Sequence, residues 1–350
     1  MSSSSQDVPY PAVDEHLGER LQKDEAKIAT ETADTVEAAI RNNYHAGDAR
    51  RDVHAKATGV VKAVFRVHDN LPDDFANKGV FIPGKVYQSL VRFSNAAGDP
   101  HQKDDHPDGR GFAIKLLDVP GPKILETDKD AKTQDFLMIN APIFMTNDAK
   151  TYLELMQKSN GGVLDKLTIP FILGLKGTIN AARIGSSKIS NPLQVQYYSV
   201  VPAQLGLGPD RQAVKYSLKP VDAKKDPFPG LHPEHDYLHA AIKRTLLASA
   251  VEFRFMIQRK KGEHMDVEDS MVEWSQAESP FVEVATVTIP QQDIDASDLE
   301  ALGERLSFNP WHSLPDHKPL GAMNRFRKVV YERISRVRDA MNSVPRQEPS

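Results

Sequence analysis

The chain has 350 residues, 40% hydrophobic and 26% charged, which is enough apolar material for a sizeable core, and 44 basic against 48 acidic groups leave no bias toward nucleic acid or other polyanions. The absence of cysteine excludes disulfides, iron–sulfur clusters, thiolate-held metals and a thiol nucleophile. Residues 1–7 lack the basic and apolar regions of a secretory signal, and the most apolar run, 167–175, is too short for a membrane span, so a cytoplasmic location is expected.

Residues 1–16 read as a flexible N-terminal arm, and 17–42 carry a helical pattern, acidic early. Strands follow at 60–67, where apolar residues fall at 61, 63, 65 and 67, and at 86–94, 111–117 and 135–139. The middle, 147–186, reads as mostly helical, with its apolar run 167–175 expected in the core or lining a channel. Strands resume at 194–201, 213–221, 251–258 and 281–289, with a helix near 235–248. A Pro-rich wrap at Pro310, Pro315 and Pro319 precedes a last helix. Eight strands without regular alternation with helices favour an α+β chain built as an antiparallel barrel with helical insertions. With no repeat and no linker, 17–342 form a single domain and 343–350 a C-terminal tail.

The last helix carries an unusual stripe. At 100° per residue, Arg327, Tyr331, Ile334 and Arg338 share a face, so a phenol is bracketed by two guanidinium groups. A solvated basic helix, with Arg325, Lys328, Arg333 and Arg336 nearby, is one reading. The other is a tyrosinate bound to iron, whose anionic form an adjacent Arg favours.

Three upstream segments bear on that choice: Arg51-Asp52-Val53-His54-Ala55-Lys56; Val91-Arg92-Phe93-Ser94 with Gly109-Arg110-Gly111; and Asp135-Phe136-Leu137-Met138-Ile139-Asn140-Ala141-Pro142-Ile143-Phe144. Together with Arg327-x-x-x-Tyr331 and Arg338, they resemble the heme catalases, specifically the short catalase-related peroxidases, or minicatalases, over about residues 45–340. The resemblance implies a catalase-like eight-stranded barrel with a C-terminal heme-ligand helix and heme b as cofactor. It implies Tyr331 as the iron ligand, Arg327 as the partner that keeps it ionised, and Arg51, Arg92 and Arg338 at the heme propionates. Val53 and Tyr152 would lie against the ring. His54 would move a proton across bound peroxide, with Ser94 orienting it and Asn140 reaching the peroxide. One Asn here stands where the family has two.

The implied activity is catalase- or peroxidase-type cleavage of hydrogen peroxide or a small organic peroxide, with an unidentified electron donor and a homo-oligomer as an open expectation. Two alternatives share the fold. One is an allene oxide synthase type of enzyme transforming fatty-acid hydroperoxides; those carry Thr where this chain has Val53. The other is a non-catalytic heme-binding protein, for which a His54, Ser94 and Asn140 trio would have no use. Outside these motifs, His232, His235 and His239 suggest a metal cluster only weakly, because the pattern is not H-E-x-x-H.

Overall fold

The computed structural model describes residues 8–159, 162–296, 298–344 and 348–349; the expected arm over 1–7 and the tail positions 345–347 and 350 lie outside the described residues. Strands β1 (Ala57–Val67), β2 (Val86–Asn95), β3 (Arg110–Leu116), β4 (Gln134–Ile139), β5 (Tyr197–Tyr198), β6 (Ala203–Leu205), β7 (Gln212–Pro220), β8 (Val251–Arg259) and β9 (Val282–Ile289) are joined antiparallel. β1 pairs with β2 and β9, β7 with β8, and β5 bridges β4 to β7, closing an eight-stranded barrel. β6 continues along the same edge of β7 as β5, so the two act as one interrupted strand. The interruption has a local cause: Val200 is held at φ 65, where a β-branched residue cannot continue a strand, and Pro202 lacks an N–H to donate. This is why the expected strand at 194–201 shrinks to two residues.

Side-chain alternation decides what the barrel can host. Val61, Ala63, Phe65 and Val67 all point inward and are buried, as their spacing of two predicts. Phe65 stacks or packs edge-on against Phe136 and Phe255, and Phe136 against Tyr216, so rings fill the interior. Reactive groups on the same strands must therefore take the opposite parity and face outward.

The outer wall is covered by helices. α1 (Glu25–Asn43) packs along α7 (Ala322–Met341) through Ala29, Ala33, Met323, Phe326, Val329 and Val330. α2 (Ala149–Ser159), α3 (Val163–Leu167) and α4 (Ile169–Gly185) fill the expected helical middle, and α5 (Tyr237–Ala248) crosses β1. α6 (Leu299–Arg305), also against β1, has no counterpart in the sequence reading. Residues 8–16, read as an arm, are tied to the body: Tyr10 donates to Glu25, Asp14 pairs with Arg211 at 2.7 Å, and Lys328 donates to the Pro9 carbonyl. The run 167–175, expected in the core or in a channel, is instead largely at the surface.

Candidate active site

Parity on β2 builds the first half of the site. Val91 and Phe93 enter the barrel, so Arg92 and Ser94 face outward beneath the segment that carries His54. That segment is fixed by its backbone: the His54 N–H donates to Ala96 O at 3.0 Å and the Ala55 N–H to Ala97 O at 3.2 Å. The Arg92 guanidinium donates to the carbonyls of His54, at 2.9 Å, and of Ala55, at 3.2 Å. These bonds hold His54 at φ 56, a left-handed conformation costly for a residue with a Cβ. His54 Nδ1 then lies 2.9 Å from Ser94 Oγ.

Gly111 makes this pairing possible. It stands opposite Ser94 in the β2–β3 ladder, and a Cβ there would sit 2.6 Å from Ser94 Oγ and 2.7 Å from His54 Nδ1. Burial, then the charges of Arg92, Arg327 and Arg51, push the His54 imidazole down to about 3. It is therefore neutral at ordinary pH, with Nδ1 engaged and Nε2 available.

The second half comes from α7. Arg327 Nη2 is 3.4 Å from the Tyr331 hydroxyl and its guanidinium carbon 5.1 Å from the ring centroid, the geometry of an i, i+4 pair. Arg327 also belongs to the charges that depress His54, which ties the two halves electrostatically. Tyr152 packs edge-on against Phe326 at 4.9 Å and joins Tyr331 in one apolar cluster. Burial, helped by Tyr331 and Asp52, pushes its phenol up, so Tyr152 stays protonated. Beside His54, Asp52 is pushed up to about 6 by burial.

Arg51, Arg92 and Arg338 converge on the end of α6. Arg51 and Arg92 contact Glu304 at 3.2 and 3.1 Å, and Arg51 and Arg338 both donate to Leu306 O, at 2.7 and 3.3 Å. Glu304 also pairs with Arg50, so one carboxylate faces several guanidinium groups. Burial, then the like charges of Arg92 and Arg338, hold Arg51 well below its ordinary value. Arg92 Nε is buried with no hydrogen-bond partner among the described residues.

Asn140 follows β4 directly. Its Oδ1 accepts from the Arg110 N–H at 2.7 Å, next to Gly111, while its amide nitrogen donates to Ser187 Oγ at 2.7 Å. Val53 is half-buried beside His54. Glu304, Gly111, Ser187 and Asp52 were not singled out in the sequence; only Gly111, a glycine at an outward strand position, carried a readable signal.

The histidines 235 and 239 do not converge: His235 pairs with Asp236 and His239 with Asp295, and these are exposed contacts. Asp128, His312 and Glu348 do gather within 4.8 Å, but Lys115 already donates to Glu348 at 2.7 Å and supplies the positive charge there.

Comparison with known proteins follows the same lines. The catalase family profile matches residues 33–161. A catalase-related peroxidase of Mycolicibacterium paratuberculosis is 24% identical over 323 residues, covering 89% of this chain and 96% of that protein. The peroxisomal catalase of Candida albicans is 31% identical over 102 residues, 29% of this chain and 19% of that one. Among solved structures, a fungal catalase superposes with a TM-score of 0.66 at 17% identity, covering 97% of this chain and 69% of that one. Catalase A from Saccharomyces cerevisiae gives 0.65 at 18% identity, covering 96% and 71%.

Proposed function

The chain belongs to the catalase superfamily, and from that premise we propose that it is a heme-dependent enzyme consuming hydrogen peroxide or a small organic peroxide. The observation that carries the reading is the neutral His54, fixed by Ser94 on one side and tied by charge to the Arg327–Tyr331 pair on the other.

The donor set suits heme b. Tyr331 would offer its phenol oxygen to iron, with the Arg327 guanidinium 3.4 Å from it. Arg51 and Arg92, which share the Glu304 carboxylate with Arg50, and the buried Arg92 Nε without a partner among the described residues would suit two propionates, with Arg338 beside them at Leu306 O. Val53 and Tyr152 would flank the ring. When bound, heme would supply redox-active iron for cleavage of the peroxide bond.

The protein's own part is proton handling. Neutral His54 accepts the proton of the inner peroxide oxygen at Nε2 and returns it to the outer one, which leaves as water or alcohol. Ser94 fixes the imidazole through Nδ1 so that Nε2 stays aimed. Asn140 gives one amide N–H to Ser187 and has a second that can donate to the peroxide without titrating. Reducing equivalents come from a second peroxide or from an organic donor. Among the described residues no helix is long and apolar enough to cross a membrane.

The test is reconstitution with hemin followed by absorption spectra and peroxide consumption. Tyr331→Phe is expected to weaken or lose the Soret band, and His54→Ala to keep heme while peroxide consumption falls about 10²–10⁴-fold. An unchanged Tyr331→Phe spectrum would remove the ligand assignment, and a wild-type rate in His54→Ala would remove the proton carrier.

A further inference from the structure

α3 and α4 carry an apolar face that the site does not use. Leu164 and Leu167 on α3, Phe171 in the first half of α4, and Leu175 and Ile179 beyond the kink at Gly174 (φ 63) are 80%, 64%, 87%, 81% and 57% exposed. The opposite face is committed to the protein. Leu173 and Ile184 are buried, a Cβ at Gly177 would stand 2.6 Å from the Met145 carbonyl, and Asn180 donates to the carbonyls of Phe144 and Met271. Just past the end of α4, Ser187 accepts from Asn140. The second half of α4 is thus fixed with Leu175 and Ile179 outward, and Leu173 seats the first half with Phe171 outward. Five large exposed apolar side chains within one segment exceed the scattered exposure normal for a soluble monomer.

Charge decides what covers the stripe. Within residues 162–190, Lys166, Lys176, Arg183 and Lys188 stand against one acid, Asp165. Asp269 and Glu273 pair with Lys176 and Arg183 at 3.3 and 3.8 Å, yet both cations stay more than half exposed. In a two-fold dimer through this face the basic groups would meet their own copies. An anionic surface would attract all of them while taking up the apolar stripe, as interfacial amphipathic helices do. We propose that the α3–α4 face docks the protein peripherally on anionic lipid membranes.

The experiment is cosedimentation of the purified full chain with phosphatidylcholine vesicles containing phosphatidylglycerol at 20 mol%, beside light scattering without lipid. Expected is binding to the anionic vesicles that weakens with salt and falls at least tenfold in F171E/L175E, while Leu231→Glu, at an isolated exposed leucine, binds as wild type. No cosedimentation, or equal binding to pure phosphatidylcholine, overturns the proposal. A dimer that F171E/L175E dissociates, without vesicle binding, overturns it in favour of self-association. Vesicle binding is read without peroxide turnover, so it stands or falls independently of the proposed chemistry.

Discussion

His54 occupies a left-handed conformation that its own side chain disfavours, and three neighbours hold it there: Ala96, Arg92 and Ser94. Gly111 leaves the space the imidazole needs. Gly111→Ala is expected to cost about 1–3 kcal/mol of stability by overpacking and to lower peroxide consumption at least tenfold while heme is retained. Equal rates in denaturant-matched assays would show that His54 tolerates displacement. At this scale the sequence was legible where partners lie in short motifs: His54, Ser94 and Arg92 meet, and so do Arg327 and Tyr331. Glu304 was not legible, because it gathers Arg51 and Arg92 from across the chain with no local pattern around it. Asn140 was legible by position, but its hold on Ser187 depends on where α4 ends, which no spacing encodes.

α7 presents the proposed iron ligand, and a charge cluster anchors its first turn. Arg325 is fully buried and pairs with Glu19 at 2.6 Å, Glu25 at 2.8 Å and Glu268 at 3.0 Å, fastening the N-terminal segment, α1 and the 260s loop to one helix. Arg325→Ala leaves buried Glu25 and half-buried Glu268 without their cation and leaves Glu19 to Lys318, at 3.3 Å. A loss of about 3–5 kcal/mol is expected, measured by denaturant unfolding, with weaker heme retention as α7 loosens. A loss below 1 kcal/mol would mean that water enters and solvates the acids. The same cluster explains why residues 8–16 were misread as an arm: with Pro9 and Pro11 they carry neither a helical nor a strand period, and only the fold brings Tyr10 to buried Glu25. Strands with regular alternation were legible to within a few residues, whereas the strand expected at 194–201 shortens to β5 and β6 was not read, because nothing in 194–201 announces Val200 at positive φ.

On the scale of the whole molecule, acid stability follows from two histidines kept neutral. Burial pushes His317 down to about 3, where it accepts the Val80 N–H at 3.0 Å and lies 3.2 Å from the Tyr216 hydroxyl; His54 is pushed down to about 3 as well. Unfolded, each would titrate near 6.5. Below that pH the unfolded chain takes up protons that the folded protein refuses, so stability is whole above about 6.5 and is lost as pH falls toward 3. Glu25, Glu37 and Glu304, held below the usual carboxylate range, add losses only at lower pH. The melting temperature is expected to begin falling below pH 6.5, with a shallower fall in His54→Gln; a flat profile from pH 7 to 5 would contradict both assignments.

The barrel closes through a two-residue strand that meets β4 at the pair Ile139–Tyr198. A cylinder zipped at one tooth along one side does not breathe evenly. Its wall parts there first, and amide exchange at Ile139 and Tyr198 should outpace exchange in β1 and β2, whose ladder runs nine pairs. Asn140 is the next residue along the chain from that tooth. The weakest seam of the wall thus lies beside the side chain that ties β4 to the residues just past α4 through Ser187.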